Sequence, residues 1–181
     1  MPAPSQVHCL HLLFLFESDP IRCIAIRYSA IANHCPQLTG HLSIDRSSTT
    51  SIVIQTRAIS PKELGSDLPM ALFLEFCGVG YLDLGTIGHL ATCATNPYID
   101  LVEAYTLALL YHCSALQNEI SGAVSAINSL RGPPTRQELY EICSNQFVLE
   151  DWRLQRWVEE VIYRGNLARL RRDILGWGLH I

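Results

Sequence analysis

The apolar positions in the first sixty residues fall in short runs that predict β-strands. Residues 7–16 are apolar on both alternating faces, which is typical of a central strand covered on both sides. Residues 21–28 alternate between apolar and other side chains, as in a strand with one buried face. Further strands are predicted over 41–45 and 51–58. A loop is predicted over 33–40 and a turn over 47–50. The pattern therefore predicts an antiparallel meander of about four strands.

Beyond residue 60 the apolar repeat lengthens to three and four residues, which indicates helices. Residues 60–63 (Ser-Pro-Lys-Glu) combine a capping serine, a proline at the first helical position and a glutamate at the third, so they predict a helix start. A short helix is predicted over 69–77. From Tyr98 onward the repeat predicts one helix of about nine turns, or two helices broken near Gly122. Asp100 and Glu103 fall on its polar side.

Two local signals mark the end of that helix and the start of the next. Gly132, Pro133 and Pro134 cannot continue a helix and predict a stop. Thr135 followed by Glu138 forms a capping-box pattern, which predicts a helix over 135–143. The fold class expected from these patterns is α+β, in one domain over 1–181, with a β-rich part over about 7–58 and a helical part over about 60–176.

The last fifty residues read as an amphipathic helical segment. Apolar residues recur at helical spacing over 149–164, and Gly165-Asn166 marks an end or a kink. A last helix is predicted to run to Gly176. The apolar side chains predicted to be buried are Leu154, Trp157, Val158 and Val161. The arginines predicted to be exposed are Arg153, Arg156 and Arg164.

Composition raises the expectation of a partner. The chain is 49% hydrophobic and 17% charged, whereas ordinary soluble chains carry roughly 25% charged residues. An apolar-rich chain with few charges either buries an unusual share of its surface or covers some of it with another molecule. Lys62 is the only lysine in the chain. Such a composition is also expected of a gene that is read in a second frame over another gene, as in compact viral genomes.

The strongest candidate interaction residues lie on the C-terminal segment. If the helix runs on, four arginines share one face opposite the apolar stripe, with tryptophans between them; the candidates are Arg153, Arg156, Arg164, Arg171, Trp152 and Trp177. They predict a docking surface for a protein, or for RNA phosphates with tryptophan stacking. The alternative is a solvated helix face, because residues 150–173 hold six arginines against five acids. The whole chain carries a net charge of −4, which disfavours a general nucleic-acid binder.

The cysteines and histidines do not form a recognisable metal motif. Seven cysteines, an odd number spread evenly through apolar runs, indicate a reducing, intracellular compartment rather than a disulfide framework. His8-Cys9, His34-Cys35 and His112-Cys113 lack the paired ligand spacing of a structural zinc site. No cofactor or metal is expected. No membrane span is expected either, because charged residues and glycines interrupt the most apolar stretch, 68–95.

Two short stretches resemble known families. Leu68-Pro69 with Leu72 is similar to the opening of the minimal F-box-like motif in silencing suppressors of plant viruses, which would imply recruitment of a ubiquitin ligase. The next proline, Pro97, lies further downstream than that motif has it. Residues 158–161 and 163–167 resemble the helix–Arg-Gly–helix ending of death-like adaptor domains, but the helices that should precede it are not evident.

The function expected from the sequence is a non-catalytic protein–protein interaction or regulatory protein that self-associates. No nucleophile lies in a recognisable turn and no phosphate-binding loop is complete, which disfavours an enzyme. Two alternatives remain. One is RNA binding through the C-terminal Arg/Trp helices, and the other is a small enzyme or ligand-binding protein with a Cys/His pocket.

Overall fold

A computed structural model of the chain describes residues 10–16, 22–42, 51–62, 64–170 and 172. The strands in these ranges are β1 (His11–Leu15), β2 (Cys23–Arg27) and β3 (Ser51–Gln55). The α-helices are α1 (Tyr28–His34), α2 (Pro36–His41), α3 (Leu68–Val79), α4 (Leu84–Cys93), α5 (Pro97–Leu110), α6 (Ser114–Arg131), α7 (Arg136–Ser144), α8 (Gln146–Glu150) and α9 (Trp152–Trp157). A 3₁₀ turn covers Thr56–Ala58, a π-helical turn covers Val158–Tyr163, and 167–170 are again helical. The α+β class is as predicted.

The sheet differs from the predicted four-stranded antiparallel meander. It has three strands in the order β2-β1-β3, with β1 antiparallel to β2 and parallel to β3. The predicted loop over 33–40 is wrong, because helices α1 and α2 occupy this connection. A helical connection lets the chain cross over and enter β3 in the same direction as β1. The predicted strand over 41–45 starts at His41, the last residue of α2, and Leu42 is the C-cap of that helix. Residues 43–45 and the predicted turn over 47–50 lie outside the described residues.

Burial explains why α1 and α2 form where the sequence indicated a loop. Ile31 and Leu38 are fully buried, so each helix contributes one side chain to the core. Pro36 occupies the first turn of α2, where a missing N–H costs nothing. Tertiary packing thus outweighs the weak local helix signal of these short segments.

The central position of β1 is as predicted, but only one of its faces is fully covered. Leu12 and Phe14 are fully buried, whereas the residues between them are half-buried. These buried side chains belong to a continuous apolar cluster that also includes side chains from α3, α5 and α6. The sheet therefore packs one face against the helices.

The helix start predicted at Ser60 does not form. Residues 59–62 and 64–67 form turns, bends and irregular backbone before α3, which begins at Leu68. Side chains on α5 hold this loop. Glu103 accepts a hydrogen bond from the Gly65 N–H (3.1 Å), and Asp100 accepts one from the Ser66 hydroxyl (3.3 Å). These tertiary bonds replace the local bonds that a helix would have made.

The long helix predicted from Tyr98 is two helices, but its break lies at Tyr111–Cys113 rather than near Gly122. His112 adopts a left-handed conformation (φ 50°), which ends α5 before α6 begins. The Tyr111 hydroxyl donates to the Ile59 carbonyl (2.6 Å), which fixes the junction between α5 and α6 against Ile59. Gly122 lies on the exposed side within α6.

The predicted stop and capping box are both confirmed. Gly132 takes a positive φ of 89° just after α6. The Thr135 hydroxyl accepts from the Glu138 N–H while the Glu138 carboxylate accepts from the Thr135 N–H (2.7 Å). The same carboxylate pairs with Arg131 (2.6 Å), so it joins the end of α6 to the start of α7. Among the described helices none is both long enough and apolar enough to cross a membrane.

Candidate docking surface

Side-chain caps divide the C-terminal segment, which the sequence predicted as one amphipathic helix over 149–164. Asn145 accepts from the Phe147 N–H (3.0 Å) at the start of α8, and Asp151 accepts from the Arg153 N–H (2.8 Å) at the start of α9. Asparagine and aspartate are strong N-cap residues. Asn145 and Asp151 are the residues in the sequence that signal these two helix starts. The sequence-based prediction missed them because the apolar residues keep a helical spacing across this region.

The cap at Asp151 also fixes the Arg153 side chain. Arg153 Nε donates to Asp151 Oδ1 (3.1 Å) and Nη2 donates to Oδ2 (2.7 Å), which is a bidentate pair. The hydrogen bond from the Arg153 side chain lowers the pKa of the Asp151 carboxyl, so the pair stays ionised at neutral pH. Both side chains remain solvent-accessible, so the pair adds little stability and chiefly orders the guanidinium.

Trp152, which lies between these two residues, points away from the protein. It is 68% exposed, and Leu149, three residues earlier, is 51% exposed. Gln155 Nε2 donates to the Leu149 carbonyl (3.2 Å), which links α8 to α9. We define the Trp152 surface as Leu149, Trp152, Arg153 and Arg156. Large exposed apolar side chains next to ordered arginines are typical of protein contact sites.

Arg156 is exposed as predicted and is also paired. Its Nε donates to Glu160 Oε1 (2.8 Å), at a spacing of four residues along the segment. Both arginines of the Trp152 surface thus have their charge matched by a neighbouring carboxylate. The surface is consequently apolar and nearly neutral, rather than a basic patch.

The opposite side of the segment packs into the core. Leu154, Trp157 and Val158 are buried as predicted, whereas Val161 is only half-buried. Trp157 stacks on Tyr105 of α5, with ring centroids 4.1 Å apart and planes inclined by 18°. Its indole N–H donates to the Ser121 hydroxyl of α6 (3.0 Å). The backbone of α9 is therefore held firmly, while Trp152 on its outer face is exposed.

Arg164 does not continue the face of Arg153 and Arg156. It follows the π-helical turn and takes a left-handed conformation (φ 54°), which ends the helix. At Gly165, which comes next, an added Cβ would lie 2.7 Å from Tyr163 Cε1, so a larger residue there would require the tyrosine side chain to shift. Arg164 is exposed and lines a separate cleft of about 420 Å³ with Ser125 and Ser129. Arg171 and Trp177, the remaining predicted interaction residues, lie outside the described residues.

Two acidic residues that the sequence placed on the solvent side are buried or partly buried. Glu103 is 5% exposed, and it also accepts a hydrogen bond from Asn145 Nδ2 (3.2 Å). Burial raises the pKa of Asp100 to about 6 and raises the pKa of Glu103. Their hydrogen bonds join α5 to Gly65 and Ser66, which precede α3, and to Asn145, the N-cap of α8. They therefore help to hold α8, which carries part of the Trp152 surface.

Three buried thiols form a cluster in the core, at Cys35, Cys77 and Cys113. The Cys113 thiol donates to the His34 carbonyl (3.3 Å). Opposing effects act on the Cys35 thiol. The hydrogen bond with Cys113 lowers its pKa, whereas the hydrogen bond with Cys77 and burial raise it. The net effect raises the pKa of Cys35 to about 12. The hydrogen bond with Cys35, together with burial, also raises the pKa of Cys113. Nucleophilic cysteines need the opposite shift.

The histidines do not assemble a metal site within the described ranges, where no group of three His, Cys, Asp or Glu side chains could hold an ion. His112 is exposed although Cys113 beside it is buried, so that pair points apart. His112 takes its left-handed conformation at the junction between α5 and α6. His8 and Cys9 lie outside the described residues.

The helix that carries the F-box-like residues is part of the core. Pro69 and Leu72 are buried, and Leu68 is partly buried against the core. Docking of a ligase subunit on these side chains would require α3 to leave the core. Comparisons with protein family models, curated proteins and solved structures find no match to the chain.

Proposed function

We propose that the chain is a non-catalytic interaction protein that binds a protein partner through the Trp152 surface and also self-associates. The observation that carries the proposal is the 68% exposure of Trp152 on a short helix whose other side is anchored by Trp157. Tryptophan contributes disproportionately to binding energy at protein interfaces. Pre-ordered side chains lose less conformational entropy when they bind.

The pairing of Arg153 and Arg156 favours a protein partner over RNA. Binding to phosphates relies on arginine charge that is available to displace counterions. Here the carboxylates of Asp151 and Glu160 already engage both guanidinium groups. The expected partner is therefore a protein that offers an apolar pocket for the indole, with polar groups at the rim for the arginines.

The geometry of the thiol cluster gives less support to an enzyme or ligand-binding protein with a Cys/His pocket. Cys35 and Cys113 are buried, their pKa values are raised, and the contact of Cys113 with His34 is to the backbone carbonyl rather than to the ring. General-base activation would need an imidazole nitrogen at the thiol. A buried, protonated thiol cluster is instead typical of core packing.

A photo-crosslinking experiment tests the proposal. Benzoylphenylalanine is placed at Trp152, and in a matched control at Leu130, which is 65% exposed on α6. The proposal expects a discrete protein adduct from position 152 only, and a 1:1 complex when that protein and the wild-type chain are purified and mixed. Equal adducts from both positions, or an adduct to RNA alone, would contradict it.

A further inference from the structure

Strand β3 forms an edge of the sheet whose outer side has no partner strand among the described residues. It pairs with β1 alone, in the order β2-β1-β3. The outer side of such a strand presents backbone N–H and C=O groups that can pair with another strand. The other edge strand, β2, contacts α1 and α3.

The residues of β3 carry none of the usual protection against pairing. The strand reads Ser-Ile-Val-Ile-Gln, with three β-branched residues and no charge, proline or glycine. Natural edge strands are commonly protected by charged side chains, prolines or bulges. By contrast, β2 ends in an exposed arginine, Arg27. An unprotected, uncharged edge in a folded protein is suited to a specific partner strand.

The core face of the sheet also extends past what the described residues cover. Ile52 and Ile54 are in register with Leu12 and Phe14, which are fully buried. Ile52 and Ile54 themselves are only half-buried, and Val53 on the opposite face is 57% exposed. A further strand alongside β3 would cover apolar surface on both faces at once.

We infer that a second copy of this chain supplies that strand, through antiparallel pairing of β3 with β3 about a two-fold axis at Val53. The pattern is self-complementary in this register: Val53 meets Val53, Ile52 meets Ile54, and Ser51 meets Gln55. Residues that face each other across antiparallel strands lie on the same face, so apolar pairs with apolar and polar with polar. No like charges meet, because the strand has none.

The result is a continuous sheet of six strands in a symmetric dimer, the commonest form of homo-oligomer. This inference specifies the self-association in the proposed function and rests on it. It does not depend on the Trp152 surface, which lies on α8 and α9. The two surfaces can therefore be tested, and can fail, independently.

Cysteine crosslinking tests the pairing and its register. The background protein has Cys9, Cys23 and Cys93 replaced by serine, and the test variant adds Val53→Cys. Facing Cβ atoms in such a pair are about 4.5–5.5 Å apart, close to disulfide distance. Two copies of Ser51→Cys would lie about 13 Å apart along the strands. A mixture of the Ser51→Cys and Gln55→Cys variants should crosslink as a heterodimer.

The expected result is a disulfide-linked dimer with Val53→Cys and with the mixed variants, but not with Ser51→Cys alone or with Leu130→Cys. In sedimentation velocity, Val53→Lys should lose the dimer that the wild-type chain forms, while Val79→Lys, at another exposed valine, retains it. If the yield of disulfide-linked dimer from Val53→Cys is no higher than that from Leu130→Cys, the inference is overturned. A dimer that survives Val53→Lys, or a wild-type chain that stays monomeric at millimolar concentration, would also overturn it. None of these results alters the Trp152 crosslinking test.

Discussion

Trp157 stacks face to face on Tyr105, and this contact anchors the helix whose other side presents Trp152. The two tryptophans lie on the same short helix, one buried and one exposed. Their roles should separate cleanly in stability measurements, because only the buried one contributes to the core.

Replacement of Trp157 by alanine should lower the free energy of unfolding by about 3–5 kcal/mol, the usual cost of deleting a buried aromatic side chain. Trp152→Ala should change it by less than about 0.5 kcal/mol, as for most surface substitutions. Urea unfolding followed by circular dichroism measures both. Similar losses for the two variants would mean that Trp152 is a packing residue rather than a docking residue.

The buried carboxyl of Asp100 should make stability depend on pH. Burial raises its pKa to about 6, so the folded chain holds this proton more tightly than the unfolded chain does. Its contribution therefore stabilises the fold as pH falls from above 6 toward 4, and Glu103 acts in the same direction.

Asp100→Asn should consequently raise the free energy of unfolding at pH 7.5 by about 1 kcal/mol, after allowance for partial exposure. The gain should disappear near pH 4. Urea unfolding between pH 4 and 8 provides the check, with Glu150→Gln on the exposed end of α8 as the control. If the asparagine variant has the same pH profile as the wild-type chain, Asp100 does not titrate as described.

The contribution of the capping box at the start of α7 to the free energy of unfolding should be measurable by itself. Thr135→Ala removes the hydroxyl that accepts from the Glu138 N–H and should cost about 1 kcal/mol of stability. Ser114→Ala is the matched control, because Ser114 is exposed at the first position of α6, where no side-chain cap forms. A cost no greater than that of the control would show that Glu138 alone holds the helix start.

The cysteines should fall into two reactivity classes. Cys23 and Cys93 are exposed, whereas Cys35 and Cys113 are buried with raised pKa values. Iodoacetamide labelling followed by mass spectrometry should modify the first pair rapidly and the second pair only after unfolding in urea. Rapid labelling of Cys35 in the folded chain would instead support a reactive Cys/His pocket.

The features predicted correctly from sequence are those that local chemistry determines. The Thr135–Glu138 capping box and the stop at Gly132 depend on neighbours within three residues, and both form as predicted. The direction of β3 could not be predicted, because a short run of β-branched residues fits parallel and antiparallel pairing equally well. It followed from α1 and α2, whose stability comes from burial of Ile31 and Leu38.

Part of the candidate site was also predicted from the sequence, because it depends on the spacing of neighbouring residues. Helical spacing identified Leu154, Trp157 and Val158 as buried and Arg153 and Arg156 as exposed. It could not indicate that Asp151 caps a new helix, because that depends on the chain bending there. The ion pairs that leave the Trp152 surface nearly neutral became visible only in three dimensions.

The most direct test of the docking proposal is the affinity of the purified partner, identified by crosslinking at position 152, for three forms of the chain. Isothermal titration should show that Trp152→Ala weakens binding by about 30-fold or more, as expected for an interface hot spot. Leu130→Ala should bind as the wild-type chain does. Equal affinity for all three forms would contradict the proposal that Trp152 is the centre of the docking surface.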